Sequence, residues 1–353
     1  MKRSLSVAML IVGSFLGAGF ASGREFVDLF DNGGTVFILM PLWVAILVFL
    51  LSFVYLQLAS KMLRVSINQP VGINEFLLKK YSIFGDLFML INSFVLLSIM
   101  ISTIDTVGFS FGMRYPSLGT ICTIIVGSVV IGGIGRILKV NNILCPILIL
   151  ILIFTYVFSI HSLSGLSFQT SNIFSNSLGA IGYVCFNLYL SVKVLTRQRT
   201  LTNQQIWLSS GLAAIIVGIF MTIIILAITK DKSIFYSDLP LISIAENYGS
   251  VSKILAATIL VICAMNTLMI AFFSIFEWLD IVYNKVLRCA IIALIGIVIS
   301  RLGYATIIIY IYPTLSIICI LFMSLAIIKL TFLQFSNKKS NSTSISNQPL
   351  FVR

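Results

Sequence analysis

GSFLGAGFASGRE, from Gly13 to Glu25, interrupts the first apolar segment of this chain. Four glycines, at positions 13, 17, 19 and 23, fall within eleven residues, and an Arg-Glu pair follows them directly. Each glycine inside a helix costs about 1 kcal/mol relative to alanine, so a helix that only had to cross lipid would not be built this way. We therefore predict a broken membrane helix whose freed backbone groups are buried in protein or face a watery cavity.

The composition of the whole chain is that of a polytopic, all-α membrane protein. Of its 353 residues, 59% are apolar and 10% are charged, and the mean hydropathy is +1.10. The apolar stretches reach the ~20 residues that a spanning helix needs. The net charge of +12 does not indicate a nucleic-acid partner, because the Lys and Arg residues sit in short segments between spans. The predicted partners are the lipid bilayer and a small-molecule solute, and no motif reports the oligomeric state.

The hydropathy pattern predicts ten transmembrane helices. Their expected ranges are Leu5–Gly23, Thr35–Ser60, Ile83–Gly112, Ser117–Gly135, Asn142–Ile160, Ser175–Leu195, Ile206–Thr229, Val251–Val282, Val286–Ile299 and Tyr304–Thr331. With the N-terminus placed inside, 17 of the 23 Lys and Arg residues fall on the cytoplasmic side and six on the outer side. This asymmetry predicts that both the N- and C-termini are cytoplasmic.

Ten spans divide into two halves of five, and an odd number per half inverts the second half in the membrane. The first span of each half contains glycines, between Gly13 and Gly23 in one and at Gly179 and Gly182 in the other. Paired helix breaks at corresponding positions indicate an inverted-repeat transporter site. We predict a first repeat over residues 1–162, a second over 163–332 and a disordered cytoplasmic tail over 333–353. The alternative is that the glycines are small-x-x-x-small packing contacts between helices.

Three stretches carry a resemblance to a known family: GSFLGAGFASGREF at the start, IGRILKVNNILCPILIL from Ile134, and GYVCFNLYLSVKVL from Gly182. Together with the ten-span layout, they resemble the YkvI-like membrane proteins, a bacterial branch near the amino acid–polyamine–organocation transporters. The resemblance implies a location in the bacterial cytoplasmic membrane. It also implies the LeuT-type fold, a 5+5 inverted repeat in which helices 1 and 6 are broken at mid-membrane.

The resemblance further implies roles for individual residues. A cation site would use the carbonyl groups of Gly13 and Leu16 together with Asn266 and Thr267 on span eight. The expected substrate-binding residues are Gly17, Ala18, Gly19, Phe20, Gly182, Tyr183 and Asn187. Arg24 and Glu25 would form an outer gate. Span eight offers one Asn-Thr pair and span five carries no Lys, so sodium and the proton both stay open as coupling ion.

Asp105 is the strongest single candidate for a functional residue within the spans, because an ionisable group inside a membrane helix is a functional candidate by default. It is expected to carry a coupling proton or to pair with a substrate amine; the alternatives are a partnership with Arg114 or a position near the outer interface. A broken helix offers N–H groups that suit a carboxylate and carbonyl groups that suit a small cation. An amino acid or an amine is therefore the expected solute.

The main hypothesis is a secondary active transporter driven by a proton or sodium gradient, without a resident cofactor. The alternative is a transporter-fold sensor or a channel without coupled transport. An intramembrane enzyme is disfavoured, because the chain contains no H-E-x-x-H, no G-x-S-x-G and no plausible aspartate pair. The sequence does not give the identity of the solute or the direction of transport.

Overall fold

The computed structural model describes residues 2–30, 36–37, 39–65, 73–114, 118–157, 166–167, 173–196, 201–229, 232–235, 237, 239–303, 307 and 311–346. Within these ranges the chain is almost entirely helical. The helices are α1 (Lys2–Phe15), α2 (Ala18–Ser22), α3 (Arg24–Phe30), α4 (Met40–Val65), α5 (Ile73–Leu78), α6 (Ser82–Phe109), α7 (Leu118–Ile131), α8 (Ile134–Val157), α9 (Ile173–Thr196), α10 (Asn203–Ile228), α11 (Lys232–Phe235), α12 (Pro240–Glu246), α13 (Ser250–Trp278), α14 (Lys285–Ser300) and α15 (Tyr312–Ser346).

Two short strands connect distant parts of the chain. Strand β1 (Val36–Phe37) pairs in parallel with β2 (Leu166–Ser167), with Val36 opposite Leu166 and Phe37 opposite Ser167. The first strand follows α3, and the second lies between α8 and α9.

Six helices of the described part are long and apolar enough to cross a membrane. They are Met40–Met62, Ile73–Phe109, Ile134–Leu152, Asn203–Ile228, Ser250–Trp278 and Pro313–Leu333; Arg3–Phe15 and Leu118–Ile131 are shorter apolar helices. On α4, Leu42, Trp43, Ile46 and Leu50 form an exposed apolar stripe at helical spacing. A stripe of that size on a water-soluble surface would be an aggregation site, whereas in a bilayer it faces the acyl chains. The chain is therefore an integral membrane protein, and the count of ten spans stays a prediction.

The centre of the bundle is built around the first helix and two long helices. The helix α1 packs against α8, α9 and α10, and α13 runs along α6 and also contacts α7 and α8. The capping box of α10, in which Thr202 and Gln205 exchange side-chain and backbone hydrogen bonds, fixes where that helix begins. Asn284 caps α14 in a similar way by accepting from the N–H groups of Val286 and Leu287.

The predicted break in the first span is present, whereas the predicted break in the sixth span is wrong. The helix α9 runs without interruption from Ile173 to Thr196, through both Gly179 and Gly182. A Cβ placed on Gly182 would lie 3.1 Å from the Ser316 Cβ of α15, and one on Gly179 would lie 3.5 Å from the Leu29 carbonyl oxygen of α3. These two glycines let neighbouring helices approach closely, which is the packing alternative for small residues in membrane helices.

The last helix ends within the range that was predicted as a tail, residues 333–353. The helix α15 extends to Ser346, past the expected end of span ten at Thr331. Side chains beyond Leu333 and the residues after Ser346 lie outside the described part of the chain. The division into two repeats and a disordered tail stays a prediction.

Arg288 closes the C-terminal end of α13. Its guanidinium donates to the carbonyl oxygens of Phe276, Asp280 and Val282 at 2.6–3.1 Å, and it lies 4.6 Å from the centroid of the Phe276 ring. Only 9% of the residue is exposed. The Phe276 carbonyl is one of those that the end of α13 leaves without an intrahelical partner, and the Asp280 and Val282 carbonyls belong to the turn that follows, so a forked donor is well suited to the three.

Arg288→Ala is expected to lower the free energy of unfolding by about 3 kcal/mol, because the substitution leaves buried carbonyl groups without a donor. Arg288→Lys should recover only part of that loss, since an ammonium cannot reproduce the fork. Thermal unfolding of the purified protein in detergent measures both. Equal stability of the wild type and Arg288→Ala would contradict this role.

Candidate functional site

The first helix breaks at Leu16 and Gly17. The amide of Leu16 still donates to the Val12 carbonyl at 2.9 Å, but the amide of Gly17 turns to the Phe15 carbonyl at 2.6 Å. Gly17 has an extended backbone, with φ −77° and ψ 172°, and α2 begins at the next residue. Because the Gly17 amide is withdrawn from the helical ladder, the carbonyl of Gly13 needs another donor.

That donor is Asn266 of α13, whose Nδ2 donates to the Gly13 carbonyl at 3.3 Å. A second amide side chain, that of Asn141 on α8, donates through its Nδ2 to the Met9 carbonyl of α1 at 3.2 Å. A Cβ on Gly13 would lie 2.5 Å from the Asn141 Oδ1 and 3.0 Å from the Asn266 Nδ2. Glycine is therefore required at position 13 by the close approach of two amide side chains.

Three buried oxygens at this point have no hydrogen-bond partner among the described residues: Asn141 Oδ1, Asn266 Oδ1 and Thr267 Oγ1. All three side chains are almost fully buried. Thr267 also lies close to the break, since its Oγ1 would be 3.4 Å from a Cβ on Gly17. An unpaired buried polar group costs about 1–3 kcal/mol, so three such oxygens near one helix break are expected to be satisfied by a bound ion, solute or water.

The chemistry of this cluster fits a small hard cation. Amide, hydroxyl and backbone carbonyl oxygens are the ligands that such ions take, and broken membrane helices commonly supply them. No group of three or more His, Cys, Asp or Glu side chains that could hold a metal ion occurs in the described part of the chain. A neutral oxygen set of this kind suits a monovalent ion such as Na⁺ better than a divalent one.

Asn141 was missed by the sequence reasoning. The fifth span was expected to begin at Asn142, which put Asn141 in a polar connection, but α8 already begins at Ile134. Asn141 therefore lies two turns inside the helix and faces α1. The double asparagine at positions 141 and 142 is the signal that was available, because an amide within a span needs a partner.

Aromatic side chains fill the space beside the break. The rings of Phe15 and Tyr183 are 5.8 Å apart between centroids, those of Phe26 and Tyr183 are 6.4 Å apart, and those of Phe20 and Phe26 are 5.0 Å apart. All four side chains are buried. The structure thus brings Phe20 and Tyr183 together through Phe26, and their role in binding solute stays a prediction.

Other predicted substrate residues lie elsewhere or are satisfied locally. Gly182 faces Ser316 of α15. Asn187 donates to the Tyr183 carbonyl one turn earlier on the same helix, at 2.9 Å. The side chain of Ala18 lies outside the described residues.

The predicted gate residues, Arg24 and Glu25, both lie at the start of α3, directly after the second interruption. Gly23 has φ 85°, a left-handed conformation that favours glycine, and it ends α2 just before Arg24. The Arg24 guanidinium donates to the Ser237 carbonyl at 3.1 Å and so reaches the segment before α12. The carboxylate of Glu25 folds back over Gly19, where an added Cβ would meet it directly. Glu25 therefore places a negative charge beside the backbone that was predicted to line the substrate site.

Asp105 belongs to α6, and its side chain lies beside the N-terminal end of α7. Its Oδ1 accepts from the Gly119 amide at 2.8 Å, and a Cβ on Gly119 would lie 2.9 Å from the carboxyl group. The residue is 4% exposed, and its Oδ2 has no hydrogen-bond partner among the described residues. These contacts are those of a helix cap, which a negative charge stabilises. A role for Asp105 in binding solute or carrying a proton stays a prediction.

Asp105→Asn is expected to fold normally, because an amide oxygen can still accept from Gly119. Asp105→Leu should lose about 1–3 kcal/mol of stability, since it leaves that N–H unpaired. If Asp105 carries a coupling proton, Asp105→Asn should also remove the pH dependence of transport. Thermal unfolding and pH-dependent uptake into proteoliposomes measure the two effects, and a wild-type pH profile in Asp105→Asn would exclude the proton role.

Comparison with solved structures identifies the fold. MhsT, solved in complex with L-phenylalanine, aligns with a TM-score of 0.62 at 17% identity, over 91% of this chain and 86% of MhsT. Mhp1, a nucleobase-cation-symport-1 family transporter with bromovinylhydantoin bound, aligns with a TM-score of 0.52 at 16% identity, over 84% of this chain and 71% of Mhp1. The manganese transporter of Eremococcus coleocola, in complex with an aromatic bis-isothiourea substituted compound, aligns with a TM-score of 0.55 at 13% identity. The alignment covers 94% of this chain and 77% of that transporter.

These structures are LeuT-fold transporters, and this chain has the LeuT fold. No protein-family model and no curated protein sequence matches the chain.

Proposed function

We propose that this protein is a secondary active transporter that moves a small solute, an amino acid or an amine, by alternating access coupled to a sodium or proton gradient. The observation that carries the proposal is the break at Leu16 and Gly17 with three unpaired buried oxygens beside it. A helix whose only task is to cross lipid has no reason to keep such a costly arrangement. The LeuT fold supports the same conclusion.

The pattern of helix contacts supports a 5+5 inverted repeat of ten spans. We take the spans as the broken α1–α2 segment, α4, α6, α7, α8, α9, α10, α13, α14 and α15. If each span is exchanged for the one five places later in this order, the contact of α1 with α10 becomes the contact of α9 with α4, which is also present. The contact of α1 with α8 likewise becomes the contact of α9 with α15. The same exchange also maps α6–α14 onto α13–α7, and α4–α15 onto α10–α8. In this proposal the two repeats run over residues 1–162 and 163–332, and the chain is a YkvI-like membrane protein.

The cation site consists, in this proposal, of the Gly13 and Leu16 carbonyl groups with Asn266, Thr267 and Asn141. The five-residue length of α2 and the continuity of α9 leave little helix dipole to attract a carboxylate. The carbonyl end of α1 favours a positive charge instead. The amine is therefore the part of the solute that this site recognises best.

The test is thermal unfolding of the purified protein in detergent with amino acids and amines, each in Na⁺ and in K⁺. A ligand at 100 times its Kd stabilises the folded state by about 2.7 kcal/mol. For any amino acid that stabilises the protein, its carboxamide should retain the effect and its N-acetyl derivative should lose it. Stabilisation by the N-acetyl derivative alone would contradict recognition of the amine.

Uptake into proteoliposomes separates the proposal from its alternatives. A sensor binds solute without moving it, and a channel moves solute without dependence on an ion gradient. Gradient-dependent accumulation supports the transporter.

With positive-inside orientation, both termini lie in the cytoplasm of a bacterial cell. Labelling of single cysteines near the termini tests this orientation directly.

A further inference from the structure

A cavity of about 470 Å³ opens at the end of α5, far along the chain from the helix break. Its lining consists of Glu75, Phe76, Lys79, Lys80 and Lys329. The first four belong to α5 and the 3-10 turn Lys79–Tyr81 that follows it, whereas Lys329 belongs to α15. The cavity therefore lies between two parts of the chain that are about 250 residues apart.

The charge of this cavity is positive. Three ammonium groups face a single carboxylate, and among the described residues no carboxylate lies within ion-pair distance of Lys79, Lys80 or Lys329. The Lys329 Nζ lies 5.3 Å from the centroid of the Phe76 ring, so a cation–π contact positions this lysine at the cavity wall. Lysines grouped around one space attract anions.

The backbone brings two of these lysines together at a cost. Lys79 has φ 51°, and it is the single non-glycine residue with positive φ in the described part of the chain. A residue with a Cβ disfavours this left-handed conformation. The strained turn places Lys79 and Lys80, both exposed, at the mouth of the cavity.

Exposed apolar side chains lie near the lining residues in the sequence. Ile83 and Phe84 follow the turn at the start of α6, and Ile328 and Phe332 flank Lys329 on α15. Each of these side chains is half exposed or more. In an integral membrane protein, exposed apolar residues of this kind face acyl chains. An anion that binds here therefore has a charged headgroup next to an apolar body.

We propose that this cavity binds the headgroup of an anionic phospholipid, whose acyl chains lie along Ile83 and Phe84 on one side and Ile328 and Phe332 on the other. Basic pockets between membrane helices recognise such headgroups. The lipid joins α5 to α15 through its phosphate, and this site is separate from the cation and solute site at the first helix.

The experiment uses the full-length protein purified in a neutral detergent. Thermal unfolding is measured with added phosphatidylglycerol or cardiolipin, with phosphatidylcholine, and with inorganic phosphate. We expect a concentration-dependent rise in Tm with the two anionic lipids and none with phosphatidylcholine. An equal rise with phosphatidylcholine overturns the proposal, and an equal rise with inorganic phosphate assigns the site to a soluble anion instead of a lipid.

Two variants locate the site. Lys79→Gly removes one charge while glycine suits the positive φ, so weaker lipid binding in this variant does not arise from misfolding. Lys329→Ala removes the charge on the opposite wall. Each variant should weaken binding of the anionic lipid about fivefold. Lys139→Ala is the control, since it removes an exposed lysine predicted on the same membrane face but outside the cavity; a loss as large as in the two pocket variants overturns the assignment to this cavity.

Discussion

Gly13→Ala is expected to weaken sodium-dependent solute binding by about 5- to 150-fold. The added Cβ would lie 2.5 Å from the Asn141 Oδ1 and 3.0 Å from the Asn266 Nδ2, so both amides must move. Overpacking of this kind costs about 1–3 kcal/mol, and here the displaced groups are the proposed ligands themselves. The measurement is the difference in Tm between Na⁺ and K⁺, with and without a solute that stabilises the wild type.

Gly211→Ala is the matched control for this substitution. Gly211 also lies within an apolar helix, α10, but a Cβ there would meet no atom within 4 Å. It should leave binding unchanged and raise stability slightly, by about 0.4–1 kcal/mol. Wild-type sodium dependence in Gly13→Ala would rule out a cation site between Asn141 and Asn266.

Thr267→Val is expected to change stability and binding in opposite directions. Valine matches the shape of threonine but lacks the hydroxyl, which is buried here without a hydrogen-bond partner among the described residues. Without sodium the variant should therefore be as stable as the wild type or more stable. With sodium it should bind the ion about 10- to 100-fold more weakly, because a ligand has been removed.

Thr258→Val tests whether the effect belongs to the site. Thr258 lies on the same helix, α13, but its hydroxyl is exposed and donates to the Ile254 carbonyl at 2.8 Å. This control should bind sodium as the wild type does. If Thr267→Val lowered stability in K⁺ and left the sodium response intact, Thr267 would be a packing residue and not a ligand.

The break in the first helix was predictable because its cause is local. Four glycines within eleven residues weaken the helix wherever it packs, so the sequence around Gly17 was sufficient. Asn266 and Thr267 were predicted from the resemblance and not from any local signal, and in the structure they lie beside the Gly13 carbonyl and Gly17. Their role as cation ligands remains a prediction.

The sixth span shows where such reasoning fails. Gly179 and Gly182 lie three residues apart within one span, yet α9 stays helical, and both glycines lie against neighbouring helices. Whether a glycine breaks a helix or admits a neighbour depends on tertiary contacts that no single sequence displays. Asp105 is a similar case, since its partner, the Gly119 amide, lies on the next helix.

The pairing of β1 with β2 has a mechanical consequence. It fastens the chain just after α3 to the linker between α8 and α9 through main-chain hydrogen bonds. A movement of the chain just after α3 is therefore transmitted to the chain between α8 and α9. Because this pairing uses backbone groups, its strength depends little on side-chain identity, and most point substitutions in either strand would leave the two segments paired.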